Sequence, residues 1–141
     1  INLKIWGFID EGLTLHKKKV KVDQGLIELF LPEGILEYFQ VTSVTKKEDT
    51  IQISLEEKNT IPEEYAGQKL LSKGFYDVVT IQDFPVRGKA CYLKIKRRRW
   101  TVESTGQIVS RDWSLVAKGT RLTEEFAAFL KAVHRYRASK L

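Results

Sequence analysis

Arginine is missing from the first 85 residues, methionine from all 141, and cysteine occurs once, at Cys91. A single cysteine closes no intrachain disulfide and builds no cysteine-rich zinc site, a usage that fits a reducing cytosol. Cys91 falls in an apolar phase of the sequence and is expected to be a small core residue. The lack of methionine even at residue 1 is what a fragment, or a trimmed or conceptually translated reading frame, would show. No apolar run approaches the ~20 residues that a membrane-spanning helix needs. The opening Ile1–Ile9 is apolar but short and lacks a small-residue cleavage site, so no signal peptide and no membrane partner are expected. His16 and His134 have no partner at metal-ligand spacing and read as surface histidines. No nucleophile–base pair, phosphate loop or metal cluster is present in the pattern, so no cofactor, no metal and no catalytic activity of the chain's own are expected.

What is present argues for one domain, or one and a small appendage, with a real core. Apolar residues make up 43% and aromatics 11%, too much for wholesale disorder. The net charge of +6 is unevenly divided. Residues 1–85 carry ten Lys against fourteen Asp/Glu, whereas residues 86–141 carry fourteen Lys/Arg, including all eight arginines, against four Asp/Glu. An acidic scaffold followed by a nucleic-acid-facing segment fits this asymmetry, because Arg makes forked contacts to phosphate and to guanine edges that Lys does not.

The densest signal is Asp83–Trp100. A Pro85–Gly88 turn leads into a run of period two, in which Cys91, Leu93 and Ile95 share one face. Tyr92, Lys94, Lys96, Arg98 and Trp100 share the other, a cationic strip bracketed by two rings that suits a sugar-phosphate backbone. The plainer reading is an amphipathic strand with a solvated basic face. A second hairpin is expected, strand 89–100 against strand 107–116 around a Ser104–Gly106 turn, which would bring Arg111 and Trp113 near Arg97–Arg99. Trp100 and Trp113 are either core residues or stacking platforms. Together Arg87, Lys89, Lys94, Lys96, Arg97, Arg98, Arg99, Trp100, Arg111 and Arg121 form the expected DNA-binding set.

The rest reads as α+β. Residues 1–25 are a poorly defined tail or strand, in which Lys17–Lys19 either are solvated or touch phosphate. Leu26–Phe39 is expected to be helical in two pieces, restarted at Pro32. Phe39–Glu57 is the clearest hairpin, turning at Lys46–Asp49, with Glu56, Glu57, Glu63 and Glu64 as solubilising charges. Asn59–Gly74 reads as loop with one helical turn at Pro62–Tyr65, and Phe75–Phe84 as strand. Thr123 is a natural N-cap for a last amphipathic helix, whose Phe126, Phe129, Leu130 and Val133 form a docking stripe and whose end is basic. The expected division is tail 1–25, scaffold 26–85 and basic DNA-facing part 86–141.

Four segments carry a resemblance: Leu31–Phe39, Ile81–Lys89, Lys96–Trp100 and Gly119–Lys131. In order and spacing they resemble the N-terminal region of bacterial insertion-sequence transposases of the ISL/ISAon type, over residues 26–133. The resemblance implies a region that recognises the terminal inverted repeats of double-stranded DNA for a DDE-class transposase. Its three acidic catalytic residues would lie in a separate RNase H-like domain that nothing here matches, and its location would be cytoplasmic, at the bacterial nucleoid. Relatives carry Cys-x-x-Cys pairs after the Arg-Arg-aromatic position, whereas this chain has Trp100-Thr-Val-Glu-Ser-Thr-Gly106, so a metal-free, ribbon-like hairpin is expected. The alternatives are a structural or protein-interaction domain, including transposase self-association, and a general nucleic-acid module that takes RNA.

Overall fold

The computed structural model describes residues 23–112, 114 and 120–138. The readings of residues 1–22 and of Trp113 lie outside the described residues. The chain divides into two units, residues 1–31 and 32–141. In the first, Asp23 caps the short helix α1 (Gln24–Glu28), its side chain accepting from the Gly25 N–H at 3.0 Å, and Ile27 and Leu31 are buried.

The second unit is α+β, as expected. It opens with α2 (Ile35–Tyr38), which starts at Gly34, a residue with φ 78° that a side chain would strain. Phe39, shared by the expected helical stretch and the expected hairpin, is the buried first residue of β1 (Phe39–Lys46). β1 pairs antiparallel with β2 (Thr50–Glu57) in the expected hairpin. A 3-10 turn at Glu63–Tyr65 follows, and then β3 (Leu70–Phe75), which lies in the segment read as loop. β4 (Val79–Val86) and β5 (Lys89–Lys96) make the next hairpin. β6 (Arg98–Val102) and β7 (Ile108–Val109) precede α3 (Glu124–Ala138).

Among the described residues the strands form two sheets, ordered β1-β2-β5-β4 and β3-β6-β7. Antiparallel hairpins alone were expected. The central pair β2–β5 is instead parallel, with Thr50 opposite Ala90 and Leu55 opposite Ile95. The expected boundary at 85/86 falls inside β4, and β5 lies between β2 and β4, so scaffold and basic part interleave. Of the described residues in the expected strand 107–116, only Ile108–Val109 form a strand, β7, with Trp100 opposite Val109.

Alternation produces the core. Ile53 and Leu55, Ile81, and Cys91, Leu93 and Ile95 are buried, while Gln52, Ser54, Tyr92 and Lys94 between them are half-buried. Each buried Leu or Ile contributes about 1.5–3 kcal/mol. The second sheet has its own core of Trp100, Val102 and Val109, with Tyr65 and Leu70 packed against it.

Residues 121–123 extend the edge of β4. The Gln82 N–H donates to the Arg121 carbonyl at 2.8 Å and the Thr123 N–H to the Gln82 carbonyl at 2.9 Å. Thr123 then caps α3 as expected, accepting from the Phe126 N–H at 3.3 Å while its hydroxyl donates to Asp83 Oδ1 at 2.8 Å. Phe126 and Ala127 are buried, and Phe84 meets Phe126 and Phe129 with ring centroids 5.2 and 5.5 Å apart. The docking stripe is shorter than its periodicity suggests, because Phe129 and Leu130 remain 51% and 42% exposed.

Asp83 stands opposite Cys91 in the β4–β5 register. Burial pushes the Cys91 thiol up to about 11, helped by the Asp83 charge. Burial also raises Asp83 above its ordinary 3.8, against the opposing hydrogen bonds from Thr123 and the Phe84 backbone. The folded state therefore holds the Asp83 proton more tightly than the unfolded chain does. Its contribution to stability is complete below the ordinary value and declines as pH rises through the raised folded value. Urea unfolding between about pH 3 and pH 8 should show this decline in the wild type and a flatter profile in Asp83→Asn. Identical profiles would exclude Asp83 as the titrating group.

Candidate nucleic-acid interface

Most of the candidate residues fall at the two ends of β5, with Lys94 within the strand and Arg121 beside β4. Seven residue steps at ~3.3 Å put Lys96 roughly 23 Å from Lys89. Arg87 and Lys89 lie at one end, and Arg97–Trp100 at the other.

At the Arg97 end the chain leaves one sheet for the other. Glu57, the last residue of β2, is 1% exposed and receives this crossing. Its Oε2 accepts from the Arg98 N–H at 2.8 Å, and its carbonyl accepts from Arg98 Nε at 3.2 Å. Its Oε1 pairs with Arg111 Nε at 3.3 Å. Arg111, 6% exposed, also donates to the Thr60 carbonyl at 2.7 Å and lies 4.2 Å from the Tyr38 ring centre. Arg98 donates to Ser72 Oγ at 2.7 Å and stacks 4.5 Å over Phe75. Arg97 donates to the Arg111 carbonyl. Arg99 reaches the Lys73 carbonyl at 3.3 Å and sits 5.6 Å from the Tyr76 ring centre. The arginine run therefore acts first as a framework between the sheets.

Trp100 departs furthest from the expected strip. It is fully buried, with Nε1 donating to Asn59 Oδ1 at 3.0 Å, and offers no face for a base. The alternation extrapolated through residue 100 resets at Arg97, whose carbonyl accepts from the Tyr76 N–H at 2.8 Å as the chain changes sheets. Tyr92, Lys94 and Lys96 do share a face of β5. Lys94 donates to Thr80 Oγ1 at 2.9 Å, and Lys96 pairs with Glu56 at 3.7 Å and lies 4.5 Å over the Phe75 ring.

Glu57 was read as solubilising, yet the signal for burial was present. Ile51, Ile53, Leu55 and Glu57 run at period two, and Glu57 occupies the inward phase. Its neighbour Glu56 points the other way and is half-buried.

Five further cations of the second half face solvent. Arg87 sits in the two-residue β4–β5 turn, exposed, at φ 52°, followed by Gly88 at φ 77°. Arg121, Lys131, Arg135 and Arg137 are exposed on α3 and the segment leading to it. Among the described residues three ion pairs form, and only Lys96 and Arg111 of the cations after residue 85 take part. No group of three or more His, Cys, Asp or Glu that could hold a metal ion occurs among the described residues. No helix among them is long and apolar enough to cross a membrane. No protein-family model, curated protein or solved structure matches this chain.

Removing one member of a buried ion pair typically costs about 3–5 kcal/mol, whereas an exposed pair is worth about 0–1 kcal/mol. Glu57→Gln, which leaves Arg111 without its carboxylate, should therefore lose about 3–5 kcal/mol in urea unfolding. Glu56→Gln, which breaks only the outward pair with Lys96, should stay within about 1 kcal/mol of wild type. Equal losses would remove Glu57 from its place at the junction.

Proposed function

We propose that this chain is a DNA-binding region of a DDE-class transposase that recognises terminal inverted repeats, with strand chemistry performed outside it. The observation that supports this most is the surplus of exposed cations in the second half. Arg87, Arg121, Lys131, Arg135 and Arg137 are exposed and, among the described residues, no carboxylate pairs with them. Such a surface attracts a polyanion by releasing condensed counterions. Lys89, Lys94 and Arg99 supplement it. Arg97, Arg98 and Arg111 serve it indirectly, by fixing the sheets that carry it.

The second reading is self-association, and the exposure of Phe129 and Leu130 on α3 favours it. One experiment separates the two readings. Fluorescence anisotropy against labelled duplexes, the element's terminal repeat and a scrambled control, is titrated with salt. About six neutralised phosphates should give a log–log slope near −5, with tighter binding to the repeat. Equal affinity for both duplexes would leave a non-specific basic module. Absence of binding at low salt, with a sedimentation coefficient that rises with concentration, would replace DNA binding by self-association.

A further inference from the structure

The parallel β2–β5 pair has a geometric consequence for charge. Each of these strands is entered from a tight turn, and parallel strands in register start at the same end of the sheet. The β1–β2 turn, Lys46-Lys47-Glu48-Asp49, therefore lies beside the β4–β5 turn, Arg87-Gly88-Lys89. The backbone joins them, since the Ala90 N–H donates to the Asp49 carbonyl at 3.0 Å. Lys89 Nζ donates to the Glu48 carbonyl across the same gap. The Lys47 N–H donates to the Thr50 carbonyl at 2.8 Å and closes the first turn. Lys46, Lys47 and Arg87 are exposed, and Lys89 is half-buried.

We propose that these two turns form a single two-pronged site for the phosphate backbone of duplex DNA, with Lys46, Lys47, Arg87 and Lys89 as its contacts. The proposal deepens the DNA-binding reading and rests on it. Four cations outnumber the two carboxylates of Glu48 and Asp49, whose carbonyls are turned toward the β4–β5 prong. Arg87 adds an independent observation. Its φ of 52° lies where Asn or Gly is at ease, yet a long cation occupies the exposed tip. Four strands at ~4.8 Å make this end roughly 14 Å broad, wider than a minor groove of about 6 Å and a major groove of about 12 Å. The prongs therefore meet phosphates rather than base edges, and their contribution is independent of sequence.

The test uses the same two labelled duplexes and salt titration. Lys46→Ala combined with Lys47→Ala should weaken binding to both duplexes alike, by roughly tenfold or more at about 0.1 M salt, and flatten the slope by roughly 1.8. Arg87→Asn should flatten it by roughly 0.9 while raising the melting temperature, because Asn relieves the turn. Lys73→Ala, an exposed lysine in β3, should change neither affinity nor slope. Wild-type slopes in the turn variants beside a steep wild-type slope would overturn the two-pronged site and leave the DNA-binding reading standing. A loss confined to the repeat duplex, or an equal loss in Lys73→Ala, would also overturn it. Absence of wild-type binding would overturn the site and the reading together.

Discussion

The two sheets are joined through one buried carboxylate. Taking Glu57 out of water costs several kcal/mol, and the cost is met only where each carboxylate oxygen has a donor of good geometry. The Arg98 N–H and Arg111 Nε supply those donors, and the Glu57 carbonyl holds Arg98 Nε. Three chain segments distant in sequence thereby converge: the end of β2, the start of β6 and the residue two beyond β7. A net stability of about 5–15 kcal/mol for a domain makes such a contact decisive rather than decorative.

This junction also determines what the arginines are free to do. A guanidinium is planar, forked and weakly hydrated, so it can stack on a ring while donating to several oxygens. Arg98 over Phe75 and Arg111 against Tyr38 use all of these properties at once. Such side chains are committed to the fold. The charge left uncommitted lies on residues with little structural duty, in the turns and on α3. The densest basic run in the sequence and the most available positive charge in the structure are thus different sets of residues.

Local rules made much of the fold legible. The β1–β2 hairpin, the strand character of 89–96, the one-turn helix near Tyr65 and the Thr123 cap follow from period-two patterning, turn residues and an N-cap hydroxyl, none of which needs distant partners. The misreadings occurred where tertiary partners decide. Trp100 changed faces because the strand bends into another sheet at Arg97, and alternation carries no information about such a crossing. β3 was hidden because Leu70–Phe75 has only weak alternation and depends on pairing with β6. Glu57 was visible in phase and hidden by chemistry, since a carboxylate on an apolar face reads as an exception until its arginines are located.

The parallel pairing of β2 and β5 was the least legible feature, and the candidate site depends on it most. Parallel strands cannot be joined by a tight turn, so the chain must leave and return, and here it does so through β3 and β4. Had the two hairpins met antiparallel, the Lys46–Asp49 turn would have lain beside the Lys96 end and the arginines that follow it, and Glu57 would have lain at the far end, away from them. Parallel pairing instead puts both turns at one end and the junction at the other, roughly 23 Å away along β5. That separation lets the turns carry exposed and even strained cations, such as Arg87 at positive φ, without burdening the contact that joins the sheets. A fold that spends its arginines on assembly can still present charge to a partner, because topology has moved the two tasks apart.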